Sequence, residues 1–367
     1  MSELRVIIAG GGTGGHIYPA IAVGHALKRL WPGAKLLFIG AKDKMEMDKV
    51  PQEGFEIKGL DIVGFNRSSL LKNISLPIKL LRSRNQVMRI LDDFMPHAVV
   101  GVGGYASFPA LRAAQSRGIP TLIQEQNSYA GKSNKILSRR AKAVCVAYPN
   151  MAQFFPKEKI TLTGNPVRKN IADMAHTGKE GKNWFGLDNG KKTLLVVGGS
   201  LGAKSINECV DEQLEALLQL DINIIWQTGK PYHEQARKRA GEYMANVKVF
   251  DFISNMEMAY SAADVVISRA GALAIAELCI AARPVIFVPY PFAAEDHQTS
   301  NAMALVTHNA ALMVKDNEVK TELLKKLKKL INDSAMQEIM STNLKAMAIT
   351  DADEKIAKKV IEIAGLN

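Results

Sequence analysis

The chain opens with a short apolar run that leads into a cluster of glycines. Residues 4–9 (LRVIIA) precede the loop 10–16 (GGGTGGH), and apolar residues then recur at helical spacing from Ala20 to Leu30. This succession predicts a strand, a tight loop and a helix. Glycines let the backbone turn sharply and approach another molecule closely, which side chains would prevent. Because His16 adds a titratable imidazole where the helix begins, we expect a polar ligand that undergoes proton transfer here.

The same alternation of apolar runs and helical patterns continues along the chain. The runs that predict strands are 4–9, 35–39, 97–102, 120–123, 143–147, 193–197, 222–226, 247–250, 264–267, 284–288 and 311–314. Such alternation builds parallel sheets that helices cover on both faces. A chain of 367 residues is long enough for two domains. We therefore predict an α/β fold of two doubly wound parallel-sheet domains that face a cleft.

A Gly-Asn-Pro turn marks the predicted joint between the domains. It lies in residues 163–168 (TGNPVR), after a short strand, and the polar stretch 173–192 separates it from the next strand. The last segment, 351–364, has the pattern of an amphipathic helix capped by Asp351, and we expect it to pack on the first domain. The predicted domains are residues 1–165 with 346–367, and residues 166–345.

The excess positive charge lies in the first half of the chain. Residues 1–165 contain 23 Lys and Arg against 11 Asp and Glu, whereas the remainder contains 24 against 25. This asymmetry predicts a polyanionic partner for the first half, either nucleic acid or an anionic membrane surface. Three widely spaced cysteines in apolar surroundings predict buried thiols in a reducing cytoplasm.

The densest basic stretch is residues 66–91, which holds six Lys and Arg and no acid, interleaved with aliphatic residues. Nucleic-acid binders usually add aromatic stacking groups to such a patch, and this stretch has none from position 66 onward. Its composition favours peripheral attachment to an anionic membrane surface. The alternative is a core helix with a solvated basic face, followed by a loop.

Gly10, Gly12 and Gly15 match the G-x-G-x-x-G pattern of dinucleotide-binding loops. That pattern requires an acid at the end of the second strand to hold the ribose. The predicted strand 35–39 ends in Gly40 and Ala41 instead, so a dehydrogenase is disfavoured. The sequence also lacks a P-loop motif, an H-E-x-x-H motif and pairs of Cys or His at metal-ligand spacing, and we predict no metal and no cofactor.

Two further glycine turns follow predicted strands in the second half. The loop 198–202 (GGSLG) and the loop 268–273 (SRAGAL) each precede a helical pattern. Free N–H groups at a helix N-terminus favour a diphosphate, and Arg168 is able to add positive charge. The alternative for each loop is a tight strand–helix turn.

Two polar groups follow these turns on predicted helices. Glu277 is placed to accept hydrogen bonds from a ribose diol, although a helical glutamate is by default a solvated charge. Residues 295–301 (EDHQTSN) suit recognition of sugar hydroxyls, although a helix cap is the competing explanation for Asp296.

Seven motifs in order along nearly the whole chain closely resemble the MurG family of bacterial N-acetylglucosaminyltransferases. They are residues 11–16 (GGTGGH), 103–107 (GGYAS), 125–127 (EQN), 164–168 (GNPVR), 198–200 (GGS), 268–273 (SRAGAL) and 296–298 (DHQ) with Asn301. The family is similar in fold to the GT-B glycosyltransferases, which have two Rossmann-like domains. The resemblance implies an inverting hexosyltransferase that moves GlcNAc from UDP-GlcNAc to the 4-hydroxyl of MurNAc-(pentapeptide)-pyrophosphoryl-undecaprenol, forming a β1→4 bond.

The resemblance also implies roles for individual residues. The donor UDP-GlcNAc is expected to contact Thr13, Gly14, Gly15, Asn127, Arg168, Ser200, Ile253, Ala272, Leu273, Glu277 and Gln298, with Gly199 and Asn301 in support. Among these, Ile253 is expected to meet uracil through its backbone. The acceptor is expected to contact Tyr105 and Asn127. The enzyme is expected at the cytoplasmic face of the plasma membrane, as a peripheral protein that docks through residues 66–91, with cell-wall synthesis proteins as further partners and no nucleic acid.

The acceptor hydroxyl must lose a proton as it attacks the donor sugar. An imidazole, with an ordinary pKa of about 6.5, is suited to accept it. We predict His16 as the base, with Glu125 as the alternative base and binding of the acceptor pyrophosphate as the alternative role of His16. Two positions depart from the family pattern: Gln124 replaces a histidine, and His297 replaces a glutamine. The alternative functions are another lipid glycosyltransferase, such as a glycosyldiacylglycerol synthase, and a UDP-GlcNAc 2-epimerase.

Overall fold

The computed structural model describes residues 3–62 and 76–366, with side chains from residue 82 onward in the second range. Contacts divide the chain into two compact units, Met1–Arg168 with Asp351–Asn367, and Lys169–Thr350. The predicted domains have their joints after residue 165 and before residue 346. Which of the two domains binds which substrate stays a prediction.

The first unit contains one parallel sheet. Its strands are β1 (Arg5–Ala9), β2 (Lys35–Ala41), β3 (Glu56–Leu60), β4 (Ala98–Gly101), β5 (Thr121–Glu125), β6 (Ala143–Val146) and β7 (Ile160–Leu162). Its helices in the first part of the chain are α1 (Gly14–Leu30), α2 (Glu46–Gln52), α3 (Leu76–Phe94), α4 (Ser107–Ser116) and α5 (Lys132–Ser138). Among the described residues the strand order is β3-β2-β1-β4-β5-β6-β7. Apolar clusters on both faces of this sheet bury the strands.

The second unit repeats this design. Its strands are β8 (Lys192–Val197), β9 (Ile222–Gln227), β10 (Val247–Phe250), β11 (Val265–Ser268), β12 (Val285–Phe287) and β13 (Leu312–Met313). Its helices are α6 (Lys169–Ala172), α7 (Gly178–Trp184), α8 (Lys204–Glu212), α9 (Leu214–Leu218), α10 (His233–Ala240), α11 (Met256–Ala262), α12 (Ala272–Ala281), α13 (His297–Val306), α14 (Val319–Asn332) and α15 (Ser334–Ala346). The parallel strands follow the order β10-β9-β8-β11-β12-β13.

The last helix, α16 (Ala352–Ile363), belongs to the first unit. Its apolar residues Ile356, Ala357 and Val360 are completely buried in the core that also contains residues of α1, β1 and β4. Asp351 precedes the helix but does not cap it with its side chain, which instead pairs with Lys355 Nζ at 2.9 Å.

The predicted fold class is confirmed: both units are doubly wound parallel α/β sheets. Each predicted strand corresponds to an observed strand. Strand β3 was not predicted, because its sequence EIKGL mixes charged and apolar residues at the edge of the sheet. None of the helices in the described ranges combines the length and the apolar composition needed to cross a bilayer.

The basic segment 66–91 lies partly outside the described residues, which resume at residue 76. Within the described part of α3, Arg82, Arg84 and Arg89 are exposed. Val87 and Ile90 of the same helix are buried in the core of the first unit. For this part of the segment, the aliphatic residues therefore stabilise the core while the basic residues remain at the surface.

Candidate functional site

The glycine loops lie at the carboxyl ends of the central strands in both units. In the first unit the loop 10–15 follows β1 and the loop 102–106 follows β4, which are neighbours in the sheet. In the second unit the loop 198–203 follows β8 and the loop 269–271 follows β11, also neighbours. Doubly wound sheets bind ligands at this position, where the strand order reverses. Each unit thus has one candidate site.

The two glycine loops of the first unit touch each other. Gly104 has φ +83°, and a Cβ atom there would lie 2.1 Å from the carbonyl oxygen of Gly11. Gly12 has φ +85°, a left-handed conformation that favours glycine. The close approach therefore requires glycine at position 104, and the loops form one continuous backbone surface.

His16 and Tyr105 lie against this surface. The imidazole Nδ1 of His16 is 3.1 Å from Thr13 Oγ1, and a Cβ atom at Gly103 would lie 2.6 Å from its Cδ2 atom. The ring of Tyr105 lies beside Gly12, and Tyr105 is 46% exposed. Thr13 does not cap α1 with its side chain, although the first N–H groups of a helix have no intrahelical acceptor. The structure thus brings Thr13, Gly14, Gly15, His16 and Tyr105 together.

Glu125 is buried at the end of β5 with 2% exposure. Its Oε1 atom accepts hydrogen bonds from the backbone N–H of Asn127 (3.1 Å) and from Asn127 Nδ2 (3.3 Å). Its Oε2 atom accepts from the Gly131 N–H (3.1 Å) and from Asn134 Nδ2 (2.9 Å). Four donors occupy both oxygens and fix the position of the carboxylate, which favours a positioning role for Glu125 over that of the alternative base.

Gln124 of β5 and Gln126, which directly follows that strand, are the two neighbours of Glu125 in the sequence, and both are buried. Gln124 Nε2 donates to Asn165 Oδ1 at 3.0 Å, Gln126 Nε2 donates to Gln124 Oε1, and Asn165 Nδ2 donates to the Gln126 carbonyl at 2.9 Å. This amide network connects β5 to the Gly-Asn-Pro turn. Gln124, which departs from the family pattern, therefore supports that turn.

Glu46 is a buried carboxylate of the first unit that the sequence analysis missed. It is 1% exposed at the start of α2. Its two oxygens accept hydrogen bonds from the backbone N–H of Gly12 (2.9 Å) and of Ala41 (3.0 Å). In the sequence KMEMDKV nothing distinguishes it from a solvated helical glutamate.

In the second unit, the glycine loop after β8 packs against the loop after β9. A Cβ atom at Gly202 (φ +76°) would lie 1.8 Å from the Thr228 carbonyl oxygen. Gln227, buried at the end of β9, donates from Nε2 to the Gly199 carbonyl at 3.1 Å and accepts from the Ile253 N–H at 2.9 Å. One missed side chain thus connects the loop of Gly199 and Ser200 with the backbone of Ile253.

The loop after β11 leads directly into α12, whose first residues are Ala272 and Leu273. Glu277 lies on this helix with 8% exposure, and the buried Tyr260 hydroxyl donates to its Oε2 atom at 3.1 Å. Glu277 is thus a held carboxylate near a helix N-terminus rather than a solvated charge.

Arg269 of the same loop turns away from solvent. It pairs with Asp316 at 2.5 Å and donates to the carbonyls of Val288 (3.0 Å) and Pro289 (3.1 Å). Its guanidinium therefore anchors the ends of β11 and β12.

Helix α13 carries the remaining predicted residues of the second unit. Gln298 Oε1 accepts from the Tyr290 N–H at 2.9 Å, and the fully buried Asn301 donates to the Ala270 carbonyl at 3.4 Å. Asn301 thus supports the loop after β11. Asp296 precedes α13 in a left-handed conformation (φ 52°) without capping it, and its Oδ1 atom accepts from Thr299 Oγ1 at 2.7 Å.

Arg168 is the last residue of the first unit's main segment and is half-buried. Within the residues that the structure describes, no group of three or more His, Cys, Asp or Glu is arranged to hold a metal ion.

The chain is similar to known proteins over nearly its whole length. The chain matches the glycosyltransferase family 28 N-terminal domain over residues 6–146 and the corresponding C-terminal domain over residues 193–356. It is 51% identical, over 99% of this chain and 97% of the relative, to the UDP-N-acetylglucosamine–N-acetylmuramyl-(pentapeptide) pyrophosphoryl-undecaprenol N-acetylglucosamine transferase of Phocaeicola vulgatus.

Two solved structures add to this. The crystal structure of Acinetobacter baumannii MurG is 32% identical, with a TM-score of 0.78, and the match covers 98% of this chain and 99% of that one. A UDP-GlcNAc 2-epimerase from Neisseria meningitidis bound to UDP-GlcNAc has a TM-score of 0.67 at 15% identity, covering 98% of this chain and all of that one. The second likeness shows the fold alone.

Proposed function

This chain belongs to glycosyltransferase family 28, and we propose that it transfers GlcNAc from UDP-GlcNAc to a lipid-linked MurNAc-pentapeptide. The acceptor hydroxyl is the 4-hydroxyl of MurNAc in the undecaprenyl-pyrophosphoryl precursor, and the product is the β1→4-linked disaccharide of peptidoglycan synthesis. The observation that carries this proposal is the 51% identity over 99% of the chain to a transferase of that name.

The second unit is proposed to bind the donor. Glycosyl transfer passes through an oxocarbenium-like state while the leaving diphosphate gains negative charge. The N–H groups at the start of α12, at Ala272 and Leu273, and the loop of Gly199 and Ser200 supply donors that are already oriented. Removing one such donor typically costs about 3–4 kcal/mol in the barrier. The family resemblance also assigns Arg168 to the diphosphate, and we propose it as a further contact.

The uridine and sugar contacts follow from the held side chains. Glu277, whose Oε2 atom accepts from the Tyr260 hydroxyl, is proposed to hold the ribose hydroxyls, and Gln298 on α13 is proposed to read the GlcNAc hydroxyls. The backbone of Ile253 is proposed to meet uracil. Its N–H already donates to Gln227, so the carbonyl is the group we assign to this contact.

The first unit is proposed to bind the acceptor. Thr13, Gly14 and Gly15, which the family resemblance assigns to the donor, stand at the N-terminus of α1, a position that favours a phosphate group. Because they lie in this unit, close to Tyr105, we assign them to the phosphate of the acceptor instead, and we propose that Tyr105 and Asn127 also contact the acceptor. His16 is proposed as the base that takes the proton from the attacking hydroxyl. Its Nδ1 atom lies 3.1 Å from Thr13 Oγ1.

The proposed location is the cytoplasmic face of the plasma membrane, because an acceptor with a polyprenyl tail stays in the bilayer. The exposed Arg82, Arg84 and Arg89 of α3 support attachment to anionic head groups. Cell-wall synthesis proteins are proposed as further partners.

The decisive experiment supplies radiolabelled UDP-GlcNAc and a short-chain lipid-linked muramyl-pentapeptide to the purified protein. We expect the label to enter the organic phase as a lipid-linked disaccharide. Conversion of UDP-GlcNAc to UDP-N-acetylmannosamine in the absence of the lipid would instead identify a 2-epimerase. Transfer to diacylglycerol would identify the other lipid glycosyltransferase.

The role of His16 is tested by His16→Ala. Because general bases contribute about 10²–10⁴-fold to the rate, we expect kcat to fall by at least about a hundredfold. The Kd of UDP, measured by calorimetry, serves as the control and should stay unchanged. A near-normal kcat with a raised KM for the lipid would assign His16 to binding the acceptor pyrophosphate.

A further inference from the structure

The glycine loop after β1 is held by one buried carboxylate. Glu46 accepts a hydrogen bond from Gly12 N–H at 2.9 Å with one oxygen and from Ala41 N–H at 3.0 Å with the other. Ala41 ends β2, which lies beside β1 in the sheet. The carboxylate therefore ties the loop to the end of the neighbouring strand. Here each N–H group meets a different oxygen of the side chain, an arrangement that a carboxylate provides and an amide, with one oxygen and one NH₂ group, does not.

The packing around Glu46 explains two of the glycines. A Cβ atom at Gly11 would lie 2.2 Å from Glu46 Oε1, and a Cβ atom at Gly40 would lie 2.5 Å from its Cγ atom. The carboxylate thus occupies the space that side chains at these two positions would fill. Glu46 is 1% exposed and therefore has almost no contact with solvent. We infer that its role is to shape the loop.

The carboxylate also divides the loop into two parts. In dinucleotide-binding loops the backbone near the second glycine approaches a pyrophosphate closely. Here the N–H of Gly12 is already used, and a buried carboxylate stands beside Gly11 and Gly12. An anion at this end would meet a like charge in a region of low dielectric, which is unfavourable. Only the end formed by Thr13, Gly14 and Gly15, beside His16, remains suited to a phosphate.

We propose that Glu46 is a positioning residue for the acceptor. It fixes the loop so that Thr13 and His16 meet the substrate, and it directs the acceptor's phosphate to the N-terminus of α1. This inference rests on the proposed function, which assigns the acceptor to the first unit.

The test is Glu46→Gln, which keeps the side-chain volume but leaves one of the two N–H groups facing an NH₂ group. We expect kcat/KM for the lipid acceptor to fall at least about tenfold, the ratio that corresponds to one hydrogen bond to a charged group. The Kd of UDP and its binding stoichiometry should stay as in the wild type. A merely structural role would instead lower the stoichiometry, because fewer molecules would be folded.

The matched control is Glu53→Gln in the same unit. Glu53 is exposed and pairs with His25 at 3.1 Å, so its substitution should change neither constant. Acceptor kinetics of folded Glu46→Gln within twofold of the wild type would overturn the inference. Failure of the wild type to transfer label to the lipid would overturn the proposed function instead, so the two failures are distinguishable.

A second variant and a second measurement keep the inference testable if Glu46→Gln does not fold. Gly40→Ala places a methyl group against Glu46 and should give the same defect. Hydrogen exchange requires no substrate: the peptide that covers residues 10–16 should exchange faster in either variant, while the peptide that covers residues 198–203 should not change. Unchanged exchange at residues 10–16 would contradict the role of Glu46.

Discussion

Buried polar side chains shape the glycine loops in both units. Glu46 holds the loop after β1 through two N–H groups, and Gln227 joins the Gly199 carbonyl to the Ile253 N–H. Glu125 likewise fixes Asn127 through two hydrogen bonds. Oriented donors stabilise developing charge best when they do not need to reorganise. We therefore expect these side chains to affect the reaction by holding the residues that are proposed to contact the substrates.

Gln227 offers a direct test of this view. In Gln227→Glu a carboxylate oxygen would face the Gly199 carbonyl, which turns an attraction into a repulsion. We expect the Kd of UDP to rise at least about tenfold, because the Gly199 carbonyl loses its donor and one oxygen of the new buried carboxylate faces that carbonyl. Calorimetry measures this without the lipid acceptor. The control Gln219→Glu, on an exposed residue of the same unit, should leave the Kd unchanged. Equal affinities in the two variants would contradict the role of Gln227.

The cysteines are predicted to be inert in the folded protein. Burial raises the pKa of the thiols of Cys145 and Cys279 to about 12 and that of Cys209 to about 11. The thiolate is the reactive form, so almost none of it is present at pH 8. We expect a disulfide reagent such as Ellman's to modify none of them in the native protein and three after unfolding in urea. Rapid release of one equivalent from the native protein would be the contrary result.

The sequence predicted some residues of the candidate sites and missed others. His16 and Tyr105 stand in glycine-rich motifs, and the structure brings both to the same loop surface. Glu46, Gln227 and Tyr260 were missed because their partners are backbone groups or side chains distant along the chain. A hydrogen bond between Gly12 and Glu46 spans 34 positions, and no local pattern encodes it.

At the scale of elements, helix α3 serves two purposes. Its buried Val87 and Ile90 stabilise the core of the first unit, and its exposed arginines extend the positive surface of that unit. From the sequence, membrane contact and a core helix are alternative interpretations of this segment. The described part of α3 satisfies the second and leaves its basic face available for the first.

The basic face leads to a prediction about membrane binding. Replacing Arg82, Arg84 and Arg89 with Gln should weaken binding to anionic vesicles by up to about a hundredfold, since each charge near such a surface contributes about 1 kcal/mol. Vesicle sedimentation at low and high salt measures the change. The control replaces three exposed lysines of α14 in the second unit, Lys325, Lys328 and Lys329. An equal loss in both triple variants would argue against a docking role for α3.

At the scale of the whole molecule, each unit contains its own parallel sheet and core, and the first unit is completed by the end of the chain. Helix α16 returns to pack on α1, where Ile356 and Val360 are fully buried. Helix α16 is therefore part of the scaffold that carries the first glycine loop.

This packing predicts a localised loss of stability. Ile356→Ala should lower the free energy of unfolding of the first unit by about 2–5 kcal/mol, because it removes buried methylenes and leaves a cavity. Hydrogen exchange should become faster in β1 and β4 and stay unchanged in β8 and β11. Lys355→Ala, at the neighbouring exposed position, should leave exchange unchanged in all four strands. Faster exchange in the second unit would contradict this assignment of α16.

The sequence alone determined the fold class and the loops that follow the central strands, because apolar periodicity and glycine clusters are local properties of a chain. Tertiary structure decided which buried groups hold those loops, since burial and hydrogen bonding depend on residues that only folding brings together. It also decided that Gln124 supports a turn and that the terminal helix belongs to the first sheet. Neighbouring residues encode the period of a strand or helix. The partner of a buried carboxylate, in contrast, can lie far away along the chain.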